Sequence, residues 1–347
     1  MTPARKGRAR KAGARASPHA LPLSVACRAY DRVRALFDGR VRIEGCAPVL
    51  LPLSAEEVFF RAFRHAEFDV SELSFSSYLI TVDRGEPEYV ALPVFLSRMF
   101  RHSAIYVRSD RGIGAPKDLK GKLVGVPEYQ VTAAVWARGM LQDEYGVRAS
   151  DLRWRSGGLE DPGREEKIPL ALPSEIELQP VPRRKTLSRM LAEGELDALV
   201  SPRVPSCFAR SEPGVARLFP EFRPVEQAYF TKTGLFPIMH VLGVRRRLAE
   251  KHPWLASSLF KAFAQAKQLA TADLADLTSL VATLPWLPAE VEDTRARMGD
   301  DWWPYGVEAN RHALETLTRY AHEQGVTRRR LAIEELFAAS TLERTRI

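Results

Sequence analysis

The sequence predicts a two-lobed α/β fold, its second lobe inserted into the first, with a helical C-terminal pack. Three observations predict it. Residues 21–74 alternate apolar strand runs with amphipathic helical runs, the order that builds a parallel sheet with covering helices. A break rich in Gly, Pro and charge, SDRGIGAPKDL (109–119), precedes a second run of the same alternation. Beyond residue 250 the chain reads as helix after helix.

The elements follow in order. LPLSVAC (21–27) is the first strand, and a short helix runs from Asp31 to the turn at Gly39. VRIEGC (41–46) reads as the second strand. Ser54, with Glu57 three residues on, forms a capping-box pattern ahead of Val58, Phe59, Ala62 and Phe63, one apolar helix face. FDVSEL (68–73) is the third strand; it ends in a serine-rich turn that opens another helix. PVFLSRMFRHSAIYV (93–107) places Arg98, Arg101 and His102 just before a further apolar strand.

After the break, KLVGVP (122–127) is a strand. The helix predicted over 130–145 stops at Gly146, which accepts the left-handed backbone of a C-cap. A loop at 157–164, a strand over 176–182, a helix over 186–193 and a strand over 196–202 complete the unit. FRHAEFDVSELS (63–74) and MLAEGELDALVSP (190–202) echo one another, in keeping with two similarly wound lobes. FTKTGLFPIMHVLGVRR (230–246) is an extended apolar stretch returning to the first lobe. Helices are then predicted over 253–270, 275–284, 308–324 and 331–338, with WWPYG (302–306) as an aromatic junction.

The predicted division is a disordered tail at 1–20, a first lobe of 21–107 with 233–347, and a second lobe of 108–232. That is the plan of the periplasmic-binding-protein-like fold, type II, in which ligands sit between the lobes at helix N-termini.

Composition excludes several classes. Hydrophobic residues at 45% and charged residues at 27% are those of an ordinary globular protein. No apolar run approaches the ~20 residues of a membrane span. The formal charge of +8 is concentrated in the tail, where Arg5, Lys6, Arg8, Arg10, Lys11 and Arg15 face no acid. No basic-plus-aromatic groove follows, so nucleic acid is not an expected partner. The tail lacks the apolar core of a secretory signal, which predicts a cytoplasmic protein. Cys27, Cys46 and Cys207 are odd in number and far apart, implying neither disulfides nor a zinc knuckle. No metal is expected from the spacing of His and acidic residues, and neither a P-loop nor G-x-G-x-x-G is present.

Several motifs together resemble one family. YDR (30–32), FDVSELSFSSY (68–78), PVFLSRMFRHSAIYVR (93–108), GKLVGVPEYQVTAAVW (121–136), GELDALVSPR (194–203), LFPIMH (235–240), MGDDWWPYG (298–306) and HEQG (322–325) closely resemble the 4,5-dihydroxyphthalate decarboxylase family. The similarity covers roughly residues 21–340. It implies a binding-protein-like fold used as a cytosolic enzyme, which removes one carboxylate from 4,5-dihydroxyphthalate to give protocatechuate. A transporter solute receptor, or a lyase or decarboxylase for another aromatic or cyclic dicarboxylate, are the alternatives that share this fold.

Such a reaction needs cations to orient two carboxylates and a proton donor near the ipso carbon. It needs no electron-sink cofactor, so none is expected. Arg98, ahead of the crossing strand, and Arg203, after LDALVSP, are the expected carboxylate holders, with Arg28 as a third. Arg101 is read instead as pairing with a surface acid. Ser76 and Ser77 at one helix start, and Tyr129, Gln130 and Thr132 at another, are expected to line the pocket. His240 and His102 lie where the chain crosses between lobes and are the expected proton donors, with Glu72 and Glu128 as carboxyl alternatives. Plain structural roles compete with each: serines cap helices, and a histidine inside FPIMHV can be a hydrogen-bonded core residue. The expected ligand is a small aromatic dicarboxylate between the lobes, and homo-oligomerisation stays open.

Overall fold

The computed structural model describes residues 20–85, 87–276 and 278–342; apart from Ala20, the tail expected to be disordered lies outside the described residues. Strand β1 (Leu21–Cys27), helix α1 (Asp31–Phe37), strand β2 (Cys46–Pro52), helix α2 (Ala55–His65), strand β3 (Val70–Ser74), helix α3 (Phe75–Asp83) and strand β4 (Tyr89–Arg98) open the chain. β1 pairs parallel with β2 on one side and β3 on the other. Ser54 caps α2 by accepting the Glu57 N–H at 3.4 Å, and the helix turns Val58, Phe59 and Ala62 inward. The second strand begins at Cys46 rather than Val41, because Cys46 is the partner of Leu21. Val41 and Ile43 are buried in the core without joining a strand. β2 is a sheet edge, where Pro48 and Pro52 are tolerated despite lacking an N–H.

The second sheet is built from β5 (Ile105–Arg108), β6 (Leu123–Val126), β7 (Arg153–Ser156), β8 (Leu178–Pro180), β9 (Ala198–Val200) and β10 (Val215–Arg217), in the order β10-β5-β9-β6-β7-β8. Helices α4 (Thr132–Tyr145), α5 (Leu187–Ala192), α6 (Ser206–Ala209) and α7 (Phe222–Thr233) accompany it. The sequence puts the lobe boundary after residue 107, inside β5. That strand pairs antiparallel with β9 and β10, so the chain has already crossed to the second sheet by Ile105. α4 is buried from Thr132 through Leu141, gripped between its own sheet and elements of the first. The Trp136 indole N–H donates to the Ile238 carbonyl at 2.9 Å, one tie across that contact.

The chain returns through Gly234, in left-handed backbone at φ 67°, to strand β11 (Ile238–Arg245). β11 inserts antiparallel between β3 and β4 and completes the first sheet, β2-β1-β3-β11-β4. Helices α8 (Arg246–Lys251), α9 (Leu255–Ala275), α10 (Leu287–Met298) and α11 (Arg311–Glu323) form the C-terminal pack, α9 against α1 and α11 against α4. Tyr320 of α11 sits so close to Gly139 of α4 that a Cβ there would come within 2.1 Å of its ring.

Two expected helices are absent. Residues 278–286 are irregular, and the next helix begins only at Leu287. Over 331–338 only a short 3-10 turn forms at Ile333–Glu335. There α3 and β4 capture the backbone: the Tyr78 hydroxyl donates to the Leu336 carbonyl at 2.6 Å, and the Ala338 N–H donates to the Ala91 carbonyl of β4 at 2.9 Å. No helix among the described residues is long and apolar enough to cross a membrane.

Candidate active site

Parallel strands leave their carboxyl ends, and the turns that follow, facing the gap between the two sheets. A cavity of about 390 Å³ lies there. The first sheet supplies Arg28 and Tyr30 after β1, Ser74 at the end of β3, and His240 on β11; the second supplies Thr132 at the start of α4 and Arg203 after β9.

His240 is held from below. Its Nδ1 lies 2.6 Å from Oε1 of Glu72, which has no exposed side-chain surface. Glu72 also accepts the Tyr30 hydroxyl at 2.7 Å and the Arg28 N–H at 3.0 Å. Burial alone would push the Glu72 carboxyl up. The hydrogen bond and charge of His240, with the Arg28 N–H and the Tyr30 hydroxyl, outweigh it and hold Glu72 below the usual carboxylate value. The Phe59 ring meets the imidazole edge-on at 4.7 Å and fixes its tilt. With Nδ1 engaged, Nε2 is the imidazole nitrogen left for a ligand.

Five cationic side chains line the cavity: Arg28, Arg101, Arg164, Lys167 and Arg203. Glu128, buried behind them, accepts Arg164 at 2.6 Å and Lys167 at 2.5 Å. Burial pushes Lys167 below the ordinary ammonium value, and Glu128 only partly restores it. Glu56, on α2, pairs with Arg164 at 3.1 Å and Arg203 at 3.5 Å, linking the first sheet's helix to the second sheet's loops. Of the carboxylates only Glu56 lines the cavity beside these five cations, with Glu128 buried behind, so the wall is net positive. A net positive wall suits an anionic ligand.

Of the residues singled out in the sequence, His240, Arg203, Arg28 and Thr132 line this cavity, and Glu72 lies directly behind His240. The others are placed differently. Arg98 is buried on the far side of β4, where it donates to the carbonyls of Phe236 (3.0 Å) and Pro304 (2.9 Å) and to Asn310 Oδ1. Side chains alternate along a strand, so Ser97 faces the cavity and Arg98 cannot. His102 is buried against the rings of Phe219 and Tyr229, each at 5.2 Å, and burial drives it down to about 4. It is neutral near pH 7 and away from the cavity.

Ser76, Ser77, Tyr129 and Gln130 form a buried belt beneath the cavity. The Ser76 N–H donates to Thr132 Oγ1 at 3.0 Å, and the Ser77 hydroxyl donates to Gln130 Oε1 at 3.1 Å. Gln130 Nε2 donates to Glu166 at 2.8 Å, and the Tyr129 hydroxyl donates to the Gln324 carbonyl at 3.1 Å. These groups fasten α3 to α4 and leave Thr132 at the cavity wall. Glu128 is spent on Arg164 and Lys167 rather than offered to a ligand.

Sequence reasoning missed Arg164, Lys167 and Glu56, and misread Arg101. Arg164 and Lys167 stand at the end of a loop with no periodicity, and only their three-residue spacing near Glu128 in space gives them a role. Among the described residues Arg101 makes no ion pair, and its side chain is buried. Among the described residues no group of three His, Cys, Asp or Glu side chains is arranged to hold a metal ion.

The 4,5-dihydroxyphthalate decarboxylase of Comamonas testosteroni is 48% identical over 327 residues, covering 94% of this chain and 99% of that protein. The chain belongs to the 4,5-dihydroxyphthalate decarboxylase family. The 4,5-dihydroxyphthalate decarboxylase of Pseudomonas putida is 52% identical over 199 residues, 57% of this chain and 77% of that one. No family model matches the chain. The periplasmic aliphatic sulphonate-binding protein SsuA from Escherichia coli superposes with a TM-score of 0.52 at 15% identity, covering 94% of this chain and 99% of that one. At that identity the likeness concerns the periplasmic-binding-protein-like fold alone. In this member of the decarboxylase family, the motifs that carry the resemblance converge on one cavity from separate elements. YDR brings Tyr30, GELDALVSPR brings Arg203 and LFPIMH brings His240.

Proposed function

We propose that the cavity binds 4,5-dihydroxyphthalate and releases one of its carboxylates as CO2, leaving protocatechuate. Membership of the decarboxylase family supports the reaction, and the net positive cavity lining supports an anionic substrate. The observation that carries the chemistry is the His240–Glu72 pair at 2.6 Å on the cavity wall.

Each carboxylate of this substrate lies para to a hydroxyl. His240, protonated at Nε2, delivers that proton to the ipso carbon. The positive charge so created is spread to the para oxygen, giving a dienone-like intermediate. The bond to the carboxylate then breaks, its electron pair restores the aromatic ring, and CO2 departs. One proton is consumed per CO2, and solvent returns it to His240. Glu72 takes no proton; it holds the ring through Nδ1 and faces the imidazolium with a negative charge. The cationic wall orients the diacid so that the reacting carbon meets Nε2.

This reading takes the lobes as 21–104 with 234–342, and 105–233, moving the boundaries to where the strands change sheet. It also takes the reaction as cytosolic, which fractionation of cells expressing a tagged chain tests. Purified protein given 4,5-dihydroxyphthalate should evolve CO2, take up an equal amount of protons and accumulate protocatechuate. His240→Ala should lower kcat by ~10²–10⁴-fold, the usual contribution of a positioned acid. Wild-type protein that binds the diacid but never turns it over would overturn the proposal.

A further inference from the structure

The five cations of the cavity are not equivalent. Arg164 and Lys167 are engaged by Glu128, and Arg203 by Glu56. Arg28 has no carboxylate partner among the described residues, but it is exposed and therefore hydrated. Arg101 alone combines burial, at 7% exposure, with no carboxylate partner among the described residues. Its recorded acceptors are thioethers, Met239 Sδ at 3.2 Å from Nε and Met99 Sδ at 3.5 Å from Nη1. A thioether is a weak acceptor for a guanidinium cut off from water. Glu226, whose charge reaches Arg101, makes no ion pair with it and is itself pushed up to about 7 by burial. A desolvated fork of donors facing a ligand cavity is arranged for an incoming carboxylate.

Which carboxylate it takes follows from the reaction. The leaving group gives up its negative charge as it becomes CO2. A fixed cation gripping it would favour the ground state over the transition state and slow the step. The same cation on the carboxylate that stays behind binds both states equally. In an ortho diacid the two groups sit on adjacent carbons, and Met239, which touches Arg101, precedes His240 in β11. Arg101 and His240 line the same cavity, so a carboxylate held at Arg101 leaves the adjacent carbon in the space that the imidazole faces.

We infer that Arg101 anchors the carboxylate the substrate retains, and so selects ortho diacids over neutral catechols. This rests on the decarboxylase reading proposed above. The test compares wild type, Arg101→Met and Arg101→Lys by calorimetric titration with 4,5-dihydroxyphthalate, protocatechuate and catechol, alongside steady-state kinetics. Arg101→Met should weaken the first two by about 10–100-fold, the range for loss of a charge-assisted bidentate contact. Catechol binding should stay within a few-fold of wild type. Arg101→Lys, which keeps the charge and loses the fork, should fall between and serves if the methionine variant does not fold. Unchanged protocatechuate affinity in both variants, or a fall in kcat with KM unmoved, overturns the assignment. Wild-type binding without CO2 release would instead sink the decarboxylase reading, while the ratio of variant to wild-type affinities still decides Arg101.

Discussion

His240 and Glu72 meet through a single 2.6 Å contact, Nδ1 to Oε1, in which the acid is sealed from solvent and the imidazole faces the cavity. The carboxylate's other two donors, the Tyr30 hydroxyl and the Arg28 N–H, both come from the turn after β1. The end of one strand therefore positions the acid, the acid positions the histidine, and the histidine addresses the ligand.

Glu72→Gln keeps the size of this link and removes its charge. It should lower kcat by about 10²-fold or more while KM moves little, which steady-state kinetics on 4,5-dihydroxyphthalate would read. A second readout is acid stability. Glu72 lies below its ordinary value of 4.5 in the folded chain, so the unfolded chain takes up that proton first as pH falls. Its stabilisation is fully present above about 4.5 and is lost as pH drops through the lower folded value. The glutamine variant should lack that part of the acid-unfolding curve.

Arg98→Ala should damage stability rather than binding. Arg98 feeds the carbonyls of Phe236 and Pro304 and the amide oxygen of Asn310, tying β4 to the stretch before β11 and to the WWPYG junction. Leaving those acceptors unpaired and opening a void should cost about 3 kcal/mol or more in denaturant unfolding. At a temperature where the variant remains folded, its KM should stay within about threefold of wild type. A large rise in KM with unaltered stability would return Arg98 to the binding site.

His102→Phe separates the two crossing histidines. Among the described residues neither ring nitrogen of His102 has a hydrogen-bond partner, and its surroundings are the rings of Phe219 and Tyr229. Burial lowers it from 6.5 to about 4, so the unfolded chain binds the proton first between those values. Wild-type stability from this residue is full above about 6.5 and falls as pH drops toward about 4, by at most ~3 kcal/mol. Glu226, 3.9 Å away, is pushed up to about 7 and is largely protonated over the same window, so it does not rescue the charged form. The phenylalanine variant should be the more stable one near pH 5 in thermal melts, with kcat unchanged at pH 7.5.

Legibility in the sequence followed locality. Runs such as LPLSVAC and KLVGVP carry their strand character within a few residues, and the cap of Ser54 on Glu57 spans one helical turn. The strand at 41–46 failed because its register is decided by pairing with β1, not by its own composition. The helix expected at 331–338 failed because the Tyr78 hydroxyl and β4 compete for the same backbone groups. His240, read as lying where the chain crosses between lobes, lines the cavity. Arg98 is expected at the ligand for its guanidinium, but the pleat of β4 turns it away from the cavity.

By itself, then, the amino-acid order determined the alternation of strands and helices, and the family. Those depend on short-range periodicity and on long matching motifs, which a linear text preserves. Only the tertiary structure decided which charges are free. Arg101, Arg164, Lys167 and Arg203 look alike in the chain, and they differ because Glu128, Glu56 and two methionine sulfurs reach them from distant segments. Charge pairing acts through space over a few ångströms, and that distance is set by folding rather than by spacing along the chain.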